Sequence, residues 1–280
     1  MDELVTSDAG RNLLWELIEP RLFAAFLIAL RMLGVLGGLP ATSAEGSESS
    51  IPARVFVIAT LTGFFSMALG FPQVPVPTEP LRLLPMMVIE FLVGAGLGFL
   101  VRLLLAGVEA AGAVAAGAMS LTFASQLDPT TGEQSTPLAS LLLLAAGMLF
   151  VILGGHQQVV AALAHTFRLL PVGQAHWDHL GFDVATLQVL GRDLYSTALR
   201  LAAPVLVVTT LVNVGLAISA RAAPQLNLFG IGFALLVIAG LLVLDTTLSA
   251  VQSRFHDRLP SLSEDLVRTL LSRPTQGATP

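Results

Sequence analysis

Long apolar runs alternate with short polar or proline-rich breaks along the chain. A helix rises about 1.5 Å per residue and the hydrocarbon layer of a membrane is about 30 Å thick, so runs of this length approach or reach a full crossing. The runs are residues 22–39, 55–71, 83–105, 138–154, 194–220 and 228–250. This pattern predicts an all-α membrane protein with about six apolar helices.

A tight polar break, residues 221–229, separates the last two runs. Arg221 lies where the first of them ends, and Pro224 cannot continue a helix because it lacks a backbone N–H. Gln225 and Asn227 can bond the backbone groups that a turn leaves without partners. We therefore predict a helical hairpin with its turn at this break.

The remaining breaks predict one polytopic domain. Residues 72–80 carry four prolines, and residues 126–137 are polar and turn-forming. Residues 106–118 are almost all Ala, Gly and Val, so they either extend the third helix or form a separate inner segment. We expect a single helical membrane domain over residues 1–252 and a short charged tail over residues 253–280. If all six runs cross, the arginine distribution places both termini in the cytoplasm.

Composition agrees with a membrane protein and excludes several function classes. The chain has 54% hydrophobic and 12% charged residues and a mean hydropathy of +0.80. Its net charge of −5 is unlike the basic surface of a nucleic-acid-binding protein. No cysteine is present, and no hydrolase, zinc-protease or phosphate-loop motif occurs. His176 and His179 lack a third ligand at a recognisable spacing, so we expect no enzyme, no cofactor and no metal.

Charged side chains inside the apolar runs require partners or water, because a charge at the bilayer centre costs about 2.5–3.5 kcal/mol even on insertion scales. One series spaced by four residues along the third run comprises Glu90, Gly94, Gly98 and Arg102. This spacing lies along one side of a helix, and the two glycines allow close backbone approach, so that side should meet protein. Glu90, Arg102 and the later Glu109 could be structural hydrogen-bonding groups, snorkelling side chains or parts of a proton pathway.

The segment of residues 112–132 passes from small residues through bulky apolar ones to an Asp-Pro turn. Small residues permit tight packing, and the bulky ones could close a pore. A buried helix followed by a surface turn explains the same residues equally well. The candidate pore residues are Gly112, Gly117, Met119, Leu121, Phe123, Leu127, Asp128 and Pro129.

In combination these features resemble the FliR family of flagellar export-gate proteins, with the homologous injectisome component as a near relative. The strongest likeness is over residues 213–229, from Asn213 through the polar break. Other matching pieces are residues 52–54, Glu90 with its glycines, residues 112–132, Gly155-His156 and residues 170–173. The likeness covers most of the chain, from about residue 22 to residue 250.

The resemblance implies an all-helical subunit without catalytic activity, whose apolar helices are arranged as bent hairpins. It would belong to a multi-subunit, pore-containing gate at the bacterial inner membrane, within the flagellar basal body. FliP-like and FliQ-like subunits, together with FlhB-like and FlhA-like export components, would be its partners, and unfolded flagellar proteins would pass through the pore. Residues 112–128 would line the closed pore. The contacts between helices or subunits would involve Glu90, Gly94, Gly98, Arg102, Glu109, His156, Asn213, Arg221, Pro224, Gln225 and Asn227. A stand-alone ion-coupled transporter and the injectisome form of the gate are the alternatives.

Overall fold

Every regular element in the described part of the chain is a helix. The structure, a computed structural model, describes residues 8–38, 50–77, 79–122, 136–174, 184–222 and 228–261. In chain order the helices in these ranges are α1 (Asp8–Gly38), α2 (Ser50–Ala68), α3 (Pro80–Ala118), α4 (Pro137–Ile152), α5 (Gly155–Leu169), α6 (Val184–Ala222) and α7 (Leu228–Arg258). Each of the six apolar runs forms the body of one helix. The prediction of an all-α membrane protein is confirmed.

Fewer helices than runs are long enough to cross a membrane. By length and composition the candidates are Ile18–Gly37, Leu81–Ala118, Gln188–Ala222 and Gly230–Arg258, and α4 with α5 would make a fifth as a bent pair. The apolar part of α2, Val55–Ala68, is shorter than a full span. Among the described residues, four helices, or five spans if the bent pair counts as one, are thus long and apolar enough to cross. The cytoplasmic placement of both termini, which assumed six crossings, stays a prediction.

The structure decides the status of the small-residue segment after the third run. Residues 106–118 continue α3 without a break, because their many alanines favour helix and no proline follows Pro85 in this helix. The third apolar run and the small-residue segment are therefore one helix of 39 residues.

Helix α5 was not among the predicted apolar runs. Its buried side chains recur every three or four residues and include Val159, Leu163, Thr166 and Phe167. The other face is polar and exposed, as at His156 and the glutamines after it. The helix is amphipathic, so its 3.6-residue period identifies it while its mean hydropathy does not.

The chain divides into two compact units. The first unit comprises residues 1–102, 157–183 and 262–280, and the second comprises residues 103–156 and 184–261. Helix α3 contributes its first 23 residues, 80–102, to the first unit and the remainder to the second. The expectation of a single membrane domain with a tail from residue 253 stays a prediction.

In the first unit α1 packs against α2 and against the start of α3. The chain after α2 returns to the beginning of α1, where the Val74 N–H donates a hydrogen bond of 3.3 Å to the Pro20 carbonyl. On the α5 side, the rings of Phe65 and Phe167 lie 5.2 Å apart between centroids. The ring contact packs α5 against α2.

In the second unit α6 and α7 lie side by side, and α4 contacts α7. One core cluster of this unit is formed at the end of α3, in α4 and in α6 by Ala115, Ala116, Met119, Leu138 and Val205. In the apolar stretches of α6 and of α7, only 22% of the residues are buried. The predicted turn at the polar break, with Pro224, Gln225 and Asn227, lies outside the described residues.

Candidate functional site

A fully buried ion pair occupies the centre of the first unit. Arg31 of α1 and Glu90 of α3 have fully buried side chains, and the Arg31 Nη2 lies 2.6 Å from the Glu90 Oε2. The Arg31 Nε donates a second hydrogen bond, of 2.8 Å, to the same oxygen. A charge-assisted, two-donor contact of this kind fixes the relative positions of both side chains. The pair therefore holds α1 against α3.

The same guanidinium also binds α5 and its C-terminal end. The Arg31 Nη1 donates to the Thr166 Oγ1 at 3.1 Å, and the Nη2 donates to the Leu170 carbonyl at 3.2 Å. Thr166 is free to accept this bond because its own hydroxyl proton goes to the Leu163 carbonyl, at 2.7 Å. The ring of Phe167 lies 4.3 Å from the guanidinium carbon, in cation–π contact.

The second oxygen of Glu90 holds the turn that follows α5. The Gly173 N–H donates to the Glu90 Oε1 at 2.9 Å. Gly173 has a φ of +75°, a left-handed conformation that favours glycine. A Cβ at this position would lie 2.6 Å from the Val74 Cγ1, so a side chain would not fit. Both carboxylate oxygens of Glu90 are thus occupied by donors from two parts of the first unit, α1 and the turn after α5.

Two glycines make the approach of α1 to α3 close enough for this pair. A Cβ on Gly94 would overlap the carbonyl oxygen of Arg31, and a Cβ on Gly34 would lie 2.6 Å from the Ala95 nitrogen. Gly98, one turn after Gly94, is buried as well. The close packing follows from the absence of side chains at the contact, as in other helix pairs with small residues at this spacing.

The described part of the candidate pore segment ends in a turn at Ser120. After α3, the Leu121 N–H donates to the Ala116 carbonyl at 2.9 Å and the Ser120 N–H to the Gly117 carbonyl at 3.1 Å. Ser120 has a φ of +60°, so a serine occupies the left-handed position at which helices commonly end. The chain leaves the helix direction here. Phe123, Leu127, Asp128 and Pro129 lie outside the described residues.

The described pore candidates lie in the core of the second unit or at its edge. Met119 is fully buried, and Leu121 packs partly buried against the same cluster. Gly112 is buried where α3 crosses α4, and a Cβ there would lie 2.7 Å from the Ala139 Cα. Gly117 is exposed and has open space beside it. Within the second unit Gly112, Met119 and Leu121 thus serve packing.

The other predicted contact residues lie mostly at the surface. Arg102, His156, Asn213 and Arg221 are exposed, whereas Glu109 is half-buried. Within the described ranges, no group of three His, Cys, Asp or Glu side chains is placed to hold a metal. His176 and His179 are outside those ranges.

Sequence reasoning missed two ionic groupings. It did not pair Glu90 with Arg31, although each is a charge inside an apolar run and such charges need partners. It also did not predict the ion pairs of Asp193 in α6 with two arginines of α7. The Arg254 Nη2 lies 2.9 Å from the Asp193 Oδ1, and the Arg258 Nη2 lies 2.5 Å from the Asp193 Oδ2. Arg254 donates in addition to the Thr197 Oγ1 at 2.8 Å. This network joins the start of α6 to the end of α7.

Known proteins resemble this chain over most of its length. The FliR flagellar biosynthetic protein of Escherichia coli K12 is 31% identical over 212 residues, 76% of this chain and 79% of that protein. The FliR of Pectobacterium carotovorum is 26% identical over 87% of this chain and 91% of its own length. The SpaR surface presentation of antigens protein of Shigella sonnei is 28% identical over 51% of this chain and 54% of its own length.

A model of the family described as bacterial export proteins, family 1, matches residues 22–261. The predicted resemblance is confirmed: the chain belongs to the bacterial export proteins, family 1, in which FliR proteins are its relatives.

Proposed function

We propose that the chain is a structural subunit of the flagellar type III protein export gate, and that it helps to form and close the inner-membrane pore for unfolded flagellar proteins. The observation that carries this proposal is the family match over residues 22–261, together with the flagellar biosynthetic relatives. The apolar helices fit a multi-pass protein of the inner membrane at the flagellar basal body. The proposal includes no catalytic step.

The flagellar assignment is favoured over the injectisome one by the extent of the likeness. The FliR proteins of E. coli and P. carotovorum match 76% and 87% of this chain, whereas the SpaR of S. sonnei matches 51%. A bacterium that lacks this chain and loses flagellar export but retains injectisome secretion would fit the proposal. The reverse phenotype would favour the injectisome form.

Exposed apolar faces on α6 and α7 support a role inside a larger assembly. The exposed large side chains of α6 include Val207, Leu211, Val214 and Ile218, which follow one another at intervals of three or four residues. Such a stripe needs lipid or a partner helix to cover it. We assign part of this surface to FliP-like and FliQ-like subunits, with FlhB-like and FlhA-like components as further partners in the export apparatus.

The pore assignment rests on the segment between α3 and α4. Its two ends are fixed within the second unit: Ser120 turns the chain after α3, and Thr136 caps α4 by accepting a 3.4 Å hydrogen bond from the Ala139 N–H. Between them in the sequence lie Phe123, Leu127, Asp128 and Pro129. A segment anchored at both ends can close a channel and return to the same position after a substrate has passed. We propose that this segment is the closing element.

The absence of cysteine from the chain makes this proposal directly testable. A single cysteine at Phe123 or Leu127 should crosslink to a flagellar substrate that is trapped during export. A cysteine at Gly147 of α4 is the matched control, since this position has open space beside it and lies outside the closing segment. Absence of crosslinks at Phe123 and Leu127 alike, with the substrate demonstrably trapped, would remove the pore assignment.

The alternative of a stand-alone ion-coupled transporter depends on Glu90. A proton-carrying carboxylate must exchange with water, whereas the Glu90 side chain is sealed from solvent and both its oxygens accept hydrogen bonds. We therefore expect Glu90→Gln to reduce the yield of assembled gate more than it alters the dependence of export on the proton gradient. The opposite result would favour the transporter.

A further inference from the structure

We propose that a crevice between α1 and α2 is a phospholipid-binding site, in which Arg21 binds the phosphate and the apolar walls hold an acyl chain. The inference depends on the membrane location of the chain and not on its export role. The crevice lies within the first unit and has a volume of about 410 Å³. This volume is in the range of about 300–1,000 Å³ that is typical of ligand sites.

The walls of the crevice are apolar and one end is cationic. Leu22 of α1 and Phe71 after α2 are exposed apolar side chains along it, and Gly63 leaves open space in its α2 wall. Arg21 also lines the crevice and is exposed. Among the side chains that the structure describes, none forms an ion pair with Arg21. A cation beside an apolar slot matches an amphipathic anion.

Two buried hydroxyl groups of α2 are without hydrogen-bond partners at this crevice. The Oγ1 of Thr62 and the Oγ of Ser66 are both buried and unbonded, and the Ser66 residue is only 6% exposed. Thr60 of the same helix behaves in the ordinary way and donates to the Phe56 carbonyl at 2.8 Å. A buried hydroxyl without a partner is unfavourable, and rotation about the Cα–Cβ bond can direct either group into the crevice. Both hydroxyls are therefore able to donate to an acceptor of an occupant.

The depth of the polar groups fits a lipid that lies along the helices. Arg21 is the fourth residue of the candidate span Ile18–Gly37, about 5 Å from its start at 1.5 Å per residue. The chain that follows α2 lies beside this start, because the Val74 N–H donates to the Pro20 carbonyl, and Phe71 lines the crevice together with Arg21. Arg21 would thus be level with lipid headgroups, with the hydroxyls of Thr62 and Ser66 close by.

A phospholipid satisfies all three groups of the crevice. Its phosphate is an acceptor for the guanidinium of Arg21, and its ester carbonyls are acceptors for the two hydroxyls. One acyl chain covers the apolar walls. An apolar partner helix would cover the walls but would offer no anion to Arg21. The chemistry of the crevice therefore favours the lipid.

Native mass spectrometry of the full chain in a neutral detergent tests this proposal with three probes. Phosphatidylglycerol should bind saturably, diacylglycerol with the same acyl chains should bind at least ~10-fold more weakly, and inorganic phosphate should not saturate at millimolar concentration. Equal affinities for the two lipids would overturn the role of the phosphate. Saturation by inorganic phosphate would show an anion site and overturn the lipid site.

Variants assign the binding to the crevice. Arg21→Gln should lower phosphatidylglycerol affinity to that of diacylglycerol, whereas Gly63→Leu should abolish the binding of both by filling the open space. Arg82→Gln, at an exposed arginine of α3, and Gly147→Leu, at an open position of α4, are the matched controls and should bind as the wild type does.

A second filling variant, Ala59→Leu, covers the case in which Gly63→Leu fails to fold. Wild-type lipid affinity in either folded filling variant would overturn the proposal. It would equally be overturned if a Gly63→Cys variant in membranes crosslinked to a protein while the purified chain carried no lipid.

Discussion

Removal of one member of the Arg31–Glu90 pair should destabilise the first unit far more than removal of an exposed charge. Arg31→Met leaves the Glu90 carboxylate buried without its guanidinium and removes the donor to the Leu170 carbonyl. Glu90→Met leaves the Arg31 guanidinium buried without its carboxylate and removes the acceptor of the Gly173 N–H. We expect each substitution to lower the free energy of unfolding by about 3–5 kcal/mol, the usual cost of an uncompensated buried charge.

The double variant distinguishes this reasoning from a simple loss of contacts. The double variant, Arg31→Met with Glu90→Met, leaves no buried charge in the pair, and its two methionines fill a similar volume. It should therefore be at least as stable as the less stable of the two single variants. The sum of the losses in free energy of unfolding of the two single variants should therefore exceed the loss in the double variant by at least ~2 kcal/mol. Arg82→Met is the matched control because the Arg82–Glu79 pair is 75% and 66% exposed, and it should change stability by less than ~0.5 kcal/mol.

The measurement is unfolding of the full chain in mixed micelles, followed by circular dichroism as denaturing detergent is added. Single variants within ~1 kcal/mol of the wild type would show that the pair is not a stabilising contact. Additive effects in the double variant would show that the two side chains act independently. Either result would refute the proposed coupling.

Three further variants test packing and assembly. Gly94→Ala should destabilise the chain by at least ~1–3 kcal/mol in the same titration, because its Cβ would overlap the Arg31 carbonyl, whereas Gly147→Ala faces open space and should not destabilise it. Met119→Ala should cost about 2–5 kcal/mol through the cavity that it leaves in the second unit, and a cost below ~1 kcal/mol would contradict its burial there. Arg221→Ala, at an exposed position, should keep the free energy of unfolding within ~0.5 kcal/mol of the wild-type value. It should nevertheless reduce co-purification with FliP-like and FliQ-like subunits. Unchanged co-purification would remove Arg221 from the proposed partner contact.

Local patterns were enough to predict the helices and the membrane class. Apolar runs of membrane scale became helices because helix formation in such runs depends on residues three or four positions apart, which the sequence displays directly. The status of residues 106–118 was left open by the sequence and proved to be the continuation of α3. Helix α5 was missed because hydropathy alone does not identify an amphipathic helix, although its 3.6-residue period was present.

The sequence by itself determined that Glu90 needed a partner, since a carboxylate within an apolar helix is unfavourable without one. Only the tertiary structure decided that the partner is Arg31, 59 residues away, and that α5 and Gly173 complete the site. The physical reason is that hydropathy and helical periodicity are local properties, whereas an ion pair depends on which helix faces meet. Here the meeting of α1 and α3 is set by the backbone contact at Gly34 and Gly94, a property of two helices that neither one displays alone.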